Sequence, residues 1–199
     1  MKKNKDQFIE NYFQGVSKIS SLINKLDVER IAQTLVNVRK KNGRVFFLGV
    51  GGSAANCSHA VNDFRKLCNI ECYSPADNIS EYTARANDEG LDSTFVGWLK
   101  VSNLNKKDAL FILSVGGGNE KRKVSMNIVE AIKFAKTTKS KILSIIGKKD
   151  GYAYKHSDEQ ILIPNIDNKL ITPYSEAFQA VIWHCIVSHP KLMTNKTKW

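Results

Sequence analysis

No stretch of this 199-residue chain is apolar for the ~18–20 residues that a membrane-crossing helix needs. The opening segment, MKKNKDQFIENYF, carries lysines with no apolar stretch behind them. A secretory signal is therefore not expected, and the cytoplasm is the expected compartment. Cysteine is scarce. Cys57, Cys68, Cys72 and Cys185 are too few for a disulfide framework at this length, and Cys68 and Cys72 are too isolated for a zinc ribbon. All four are expected as reduced, partly buried thiols. Internal repeats, low-complexity tracts and Pro/Gly linkers are also missing, so one domain over residues 1–199 is expected, with helices in 1–42 and an α/β core in 43–199.

Acidic residues are the minority charge. Nineteen Asp and Glu stand against thirty Lys and Arg, for a formal net charge of +11. Such a surplus draws in anions, either nucleic acid or an anionic substrate. The basic residues, however, are scattered: Lys2, Lys3 and Lys5, then Arg39, Lys40 and Lys41, then Lys106, Lys107, Lys121, Lys148 and Lys149. No arginine-rich helix or aromatic–basic interleaving gathers them, so neither nucleic acid nor a membrane is expected as a partner.

What the chain does have is alternation. Residues 6–24 and 27–41 carry helical periodicity through Phe8, Ile9, Tyr12, Phe13 and Val16, then Ile31, Leu35 and Val38, with a stop at Asn42-Gly43. Short apolar runs at Arg44–Leu48, Ala109–Val115 and Lys141–Ile146 read as buried strands, with further strands expected at Glu71–Ser74 and Gln160–Ile163. Helices are expected from Ser53, as a cap, to about Leu67, over about Lys121–Lys136, and over Pro173–Ser188. Strands alternating with helices predict a parallel α/β sheet, whose ligands sit at the carboxyl ends of the strands.

Two glycine turns fall on that edge. Gly49-Val50-Gly51-Gly52-Ser53 offers backbone N–H groups, a helix N-terminus and a hydroxyl to an anion. It is not a P-loop, because no Gly-Lys-Ser/Thr follows, and not a dinucleotide fingerprint, because position 54 is Ala. Ser114-Val115-Gly116-Gly117-Gly118-Asn119 is the second, with Lys121 and Arg122 beyond it. A tight turn with a serine cap accounts for either one alone; the pair on one edge suits a phosphorylated ligand.

His59 and Asp63 share a helix face at i,i+4, and Glu176 and His184 lie eight apart on the last helix with Gln179 between them. Two imidazoles and two carboxylates could bind zinc or a similar ion, or could be separate surface groups. His189 is expected to complement the helix dipole. His156 has no assigned role, and Ala86-Asn87-Asp88-Glu89-Gly90 is by itself a turn signal.

Taken in order, Gly51-Gly52-Ser53, the His59/Asp63 helix, Asn87-Asp88-x-Gly90, the Ser114 turn and the Glu176/His184 helix resemble the sugar isomerase (SIS) domain, and more narrowly the phosphoheptose isomerases. The resemblance spans nearly the whole chain. It implies a five-stranded parallel sheet between helices, a flavodoxin-like three-layer sandwich with an N-terminal helical extension, and a homotetramer with sites at subunit contacts. It implies sugar phosphate binding by Gly51, Gly52, Ser53, Asn87, Asp88, Ser114, Val115, Gly116 and Asn119, with Asp63 and Glu176 beside them. It further implies one zinc per subunit on His59, Asp63, Glu176 and His184, and acid–base catalysis by Asp63 and His184.

The implied reaction is isomerisation of D-sedoheptulose 7-phosphate to D-glycero-D-manno-heptose 7-phosphate through an enediol, for surface-polysaccharide heptose in capsule or lipopolysaccharide. The alternatives are a non-catalytic sugar-phosphate-binding or replication-initiator-associating SIS module, and an isomerase of another sugar phosphate. Three features depart from the family's pattern. Asp63 stands where Glu is usual, Glu176 where Gln is usual, and glycines replace serines and threonines in the second turn, leaving backbone amides or Lys121 and Arg122 to hold a phosphate.

Overall fold

The computed structural model describes residues 3–197. Lys2 of the basic residues, and residues 1–2 and 198–199 of the expected domain span, lie outside the described residues. Two helices come first, α1 (Lys3–Leu22) and α2 (Lys25–Lys40). Asn24 caps α2 by accepting from Leu26 N, and Asn42 in a left-handed turn ends the segment.

Five strands follow: β1 (Val45–Leu48), β2 (Cys72–Tyr73), β3 (Ala109–Ser114), β4 (Lys141–Ile146) and β5 (Glu159–Leu162). All pairings are parallel, in the order β2-β1-β3-β4-β5. The order reverses between β1 and β3, and at such a switch point the loops leaving both strands open a crevice.

Alternation along the strands splits the core in two. Phe47, Phe111 and Leu113 point to one face, where they meet α2, α3 (Gly52–Cys68) and α8 (Ile171–Val187). Phe46, Leu48, Leu110 and Ile112 point to the other, under α5 (Thr94–Val101) and α6 (Met126–Thr138). Both faces are covered, so strands β1 and β3 are wholly buried and read as unbroken apolar runs. The expected three-layer architecture stands, and α2 belongs to one of its helical layers.

Several local expectations need correction. Ser53 does not cap α3. Gly51 is the N-cap, with φ 64° and ψ −130°, and Ala54 N and Ala55 N donate to its carbonyl. Ser53 instead lies buried in the first turn. The helix expected from Lys121 begins only at Met126. Asn119 and Val124 pair their backbones across a tight turn, and Lys123 and Ser125 take left-handed conformations that a helix cannot continue through. Val124, inside the helix expected over Lys121–Lys136, is exposed.

Three short helices were not expected: α4 (Ile79–Asp88), α5 and α7 (Tyr152–His156). The Asn87-Asp88 pair ends α4 rather than standing in a free turn. His189 Nε2 donates to Glu29 Oε2 at 2.9 Å, its Nδ1 accepting from Lys191 N, so its partner is a carboxylate of α2 rather than the helix dipole alone. No helix among the described residues is long and apolar enough to cross a membrane.

Candidate active site

Helices α3 and α8 lie side by side and run in the same direction. Asn56 Nδ2 donates to Glu176 O (2.9 Å) and Gln179 Oε1 (3.1 Å), and further along the Cys68 thiol donates to Val187 O (3.4 Å). Between these ties the side chains of His59, Asp63, Trp183 and His184 meet. Positions 56, 59 and 63 recur every three to four residues, so they share the α3 face turned to α8.

Asp63 Oδ2 is 3.8 Å from His59 Nε2 and 3.8 Å from His184 Nε2. Its other oxygen accepts from Asn62 Nδ2 at 2.8 Å, which fixes the carboxylate's plane. His184 Nδ1 lies 2.8 Å from the carbonyl of Ala180. A carbonyl only accepts, so in the neutral ring Nδ1 carries the proton and Nε2 keeps a free lone pair facing Asp63. Trp183 is fully buried and touches both imidazoles, stacked on His184 with centroids 3.6 Å apart and edge-on to His59 at 4.8 Å.

His59, Asp63 and His184 form a group able to hold a metal ion, with ligand atoms all within 4.8 Å of one another. Bonds of ~2.0–2.1 Å set a tetrahedral edge of roughly 3.4 Å, so the two Asp63 edges, at 3.8 Å, need to close by a few tenths of an ångström, and the edge between the imidazoles lies within 4.8 Å. Two imidazoles, one fixed through its second nitrogen by a backbone carbonyl, and a carboxylate suit zinc chemistry.

Glu176 is not in that group. Its carboxylate lies against Gly52, where an added Cβ would meet Glu176 Oε2 at 2.6 Å. A negative charge there faces the positive end of α3. From this position Glu176 borders the first glycine turn rather than the imidazole pair.

The second turn is held by its own polar groups. The buried Ser114 hydroxyl accepts from Gly117 N at 2.9 Å. The carbonyls of Val115, Gly117 and Gly118 accept from Gly147, Ala153 and Tyr152, which docks the turn onto the loop after β4. Gly116 is left facing open space. Asn119 Oδ1 accepts from Arg122 N, so this asparagine closes its own turn.

Asn87 donates to Asp88 at the exposed end of α4, and among the described residues no hydrogen bond or ion pair joins them to the imidazole cluster. A cleft of about 940 Å³ opens near the ends of β4 and β5, lined in part by Lys148, Lys149 and Asn165. It is separate from His59, Asp63 and His184, which stand on an open helix face.

Sequence reasoning missed Trp183 and Asn56. The only signal for Trp183 was an aromatic residue immediately before His184. Asn56 carried none beyond lying one turn before His59.

The fold and this site define a doubly covered parallel α/β protein in which the first glycine turn opens α3, the helix that carries His59 and Asp63, and α8 brings His184 against them. The SIS domain profile matches residues 8–147, and the chain belongs to the SIS domain family. It is similar to the phosphoheptose isomerase of Helicobacter pylori, 27% identical over 170 residues covering 83% of each chain. It is also similar to phosphoheptose isomerase 1 of Campylobacter jejuni, 28% identical over 170 residues covering 82% of this chain and 88% of that one. Among solved structures, phosphoheptose isomerase GmhA from Neisseria gonorrhoeae superposes with a TM-score of 0.79 at 18% identity, covering 92% of this chain and 97% of that chain. That last likeness speaks to the fold.

Proposed function

We propose that the chain is an aldose–ketose isomerase acting on D-sedoheptulose 7-phosphate to give D-glycero-D-manno-heptose 7-phosphate. The observation that carries the reading is the pairing of Asp63 Oδ2 on α3 with His184 Nε2 on α8, 3.8 Å apart, where the N-terminal turn of α3 is built to face an anion. The relatives named phosphoheptose isomerase support the substrate.

Isomerisation must move a proton from C1 to C2. Asp63 takes a C1 proton while His184, entering the cycle as the imidazolium, delivers its Nε2 proton to the C2 carbonyl oxygen, and the product is a cis-enediol. Asp63 then returns a proton to C2 while His184 removes the proton from the C1 hydroxyl, leaving the aldehyde and restoring both groups. The turns at Gly51, Gly52 and Ser53 and at Ser114, Val115, Gly116 and Asn119 hold the distal phosphate, so binding at the far end positions the reacting carbons. Asn87 and Asp88 contact the sugar.

His59, Asp63 and His184 would hold one zinc per subunit. When bound, the ion orients substrate oxygens and stabilises negative charge on them.

The cluster stands open on one chain, and α1 exposes Phe8, Ile9 and Phe13. Both features favour a homotetramer that closes its sites at subunit contacts. One SIS domain spans residues 1–199 in this reading. Phosphorylated sugars do not cross a bilayer unaided, so the reaction belongs in the cytoplasm, supplying heptose for capsule or lipopolysaccharide.

The test is turnover on a panel of ketose phosphates together with a metal assay of the purified protein. Conversion of the seven-carbon substrate in preference to a pentulose 5-phosphate is the expected result. Binding of sugar phosphates without conversion of any would overturn the enzyme reading.

A further inference from the structure

His184 is held from two sides. Its Nδ1 donates to Ala180 O in the plane of the ring, and the indole of Trp183 covers one face at 3.6 Å with the planes 27° apart. Neighbouring residues on a helix diverge by about 100°, so an imidazole that lies on the preceding side chain has folded back across it. The same indole meets His59 edge-on at 4.8 Å and 72°. One buried ring therefore touches both imidazoles, whose centroids sit 5.2 Å apart at 82°.

Trp183 is also held by nothing polar. Its indole N–H is buried and finds no acceptor among the described residues. A leucine would fill an apolar gap between helices without stranding a donor. What the indole adds is one stacked and one edge-on ring contact with the imidazoles.

We propose that Trp183 is the positioning residue of the site: its indole sets the separation and tilt of His59 and His184, and with them the direction in which both Nε2 atoms face Asp63. Removal of the ring leaves the glycine turns intact and loosens the imidazole pair. The kinetic arm of the test rests on the isomerase reading; the other two arms do not.

The variants are Trp183→Phe, which keeps a flat ring, and Trp183→Leu, which keeps apolar bulk alone. Zinc affinity is read by competition with a chromophoric chelator. We expect Trp183→Phe within about threefold of the parent and Trp183→Leu weaker by ~10–100-fold, the range for losing a group that orients a ligand. Under turnover, Trp183→Leu lowers kcat while KM for the sugar phosphate stays near the parent's, and Trp183→Phe restores kcat.

In proton NMR of the parent, the ring protons of His184 are shifted upfield by the indole ring current, and the shift is lost in Trp183→Leu. A folded Trp183→Leu that binds zinc as tightly as the parent and keeps the parent's kcat would overturn the proposal. So would a parent spectrum in which His184 shows no upfield shift, and this reading decides alone if Trp183→Leu fails to fold or the parent binds no zinc. A parent that shows the shift and binds zinc but turns over no sugar phosphate refutes the isomerase reading and leaves the positioning role standing.

Discussion

Gly51 provides the sharpest test of how the fold builds the anion-facing turn. Its φ of 64° and ψ of −130° fall where a residue with a Cβ is strained, yet an added Cβ would meet nothing within 4 Å. Gly51→Ala therefore changes backbone energy without a packing clash. Holding a non-glycine residue in such a conformation costs ~1–3 kcal/mol. Replacing glycine by alanine also restricts the unfolded chain, which returns ~0.4–1 kcal/mol.

Gly116 supplies the control. It too faces open space, but its φ is not in the left-handed region, so Gly116→Ala carries the unfolded-state gain alone. The difference between the two variants isolates the strain, ~1–3 kcal/mol. At ~2.1 cal/mol/K per residue, 199 residues give an unfolding entropy of ~0.42 kcal/mol/K, so Gly51→Ala should melt roughly 2–7 °C below Gly116→Ala. Paired melting curves by circular dichroism provide the assay. A Gly51→Ala protein that melts at or above Gly116→Ala would show that the turn does not require glycine and would refute this account of it.

Asp108 is almost fully buried and accepts from Arg44 N, Arg44 Nη2, Asn105 N and Asn105 Nδ2. Asp108→Ala should destabilise by ~3 kcal/mol, the lower end for breaking a buried pair because Arg44 is partly exposed, and a urea-melt loss under ~1 kcal/mol would contradict this. Burial pushes the Cys68 thiol up to about 12 and those of Cys57 and Cys72 higher still, while Cys185 is exposed, so a thiol reagent at neutral pH should label one cysteine in the native chain and four after unfolding.

The hydrogen bond from Lys191, with His189 adding to it, holds the Glu29 carboxyl below its ordinary 4.5 despite partial desolvation. A depressed folded value means stability that is present above the ordinary range and lost as pH falls through the folded one. Glu29→Gln should therefore be less stable than the parent at pH 7, and the gap should close once both are in acid; a gap unchanged at low pH would refute the linkage.

The sheet was legible because β1, β3 and β4 are buried on both sides and leave apolar runs at 45–48, 109–113 and 142–146, interrupted only by Ser144. The His59/Asp63 pairing was legible for the same kind of reason, since i,i+4 spacing fixes a helix face whatever lies opposite. The start of α6 was not. Lys123 and Ser125 adopt left-handed conformations with no glycine to announce them, and Val124 kept the apolar period going past the true boundary.

Ser53 looked like a cap because serine usually is one, but Gly51's conformation had already turned the chain. The distance between Glu176 and the imidazoles depends on how α8 sits along α3. That register is set by Asn56 and Gln179 across the two helices, a contact 123 residues long in sequence that no local pattern encodes. The role of Trp183 was hidden for the same reason: its partner His59 belongs to another helix.

Incubation of D-sedoheptulose 7-phosphate with the protein in deuterated water, followed by NMR of the aldose formed, bears most directly on the central claim. The account predicts deuterium at C2 of the product from the parent chain, and rates lower by ~10²–10⁴-fold in both Asp63→Asn and His184→Ala. Full activity in both variants would contradict it.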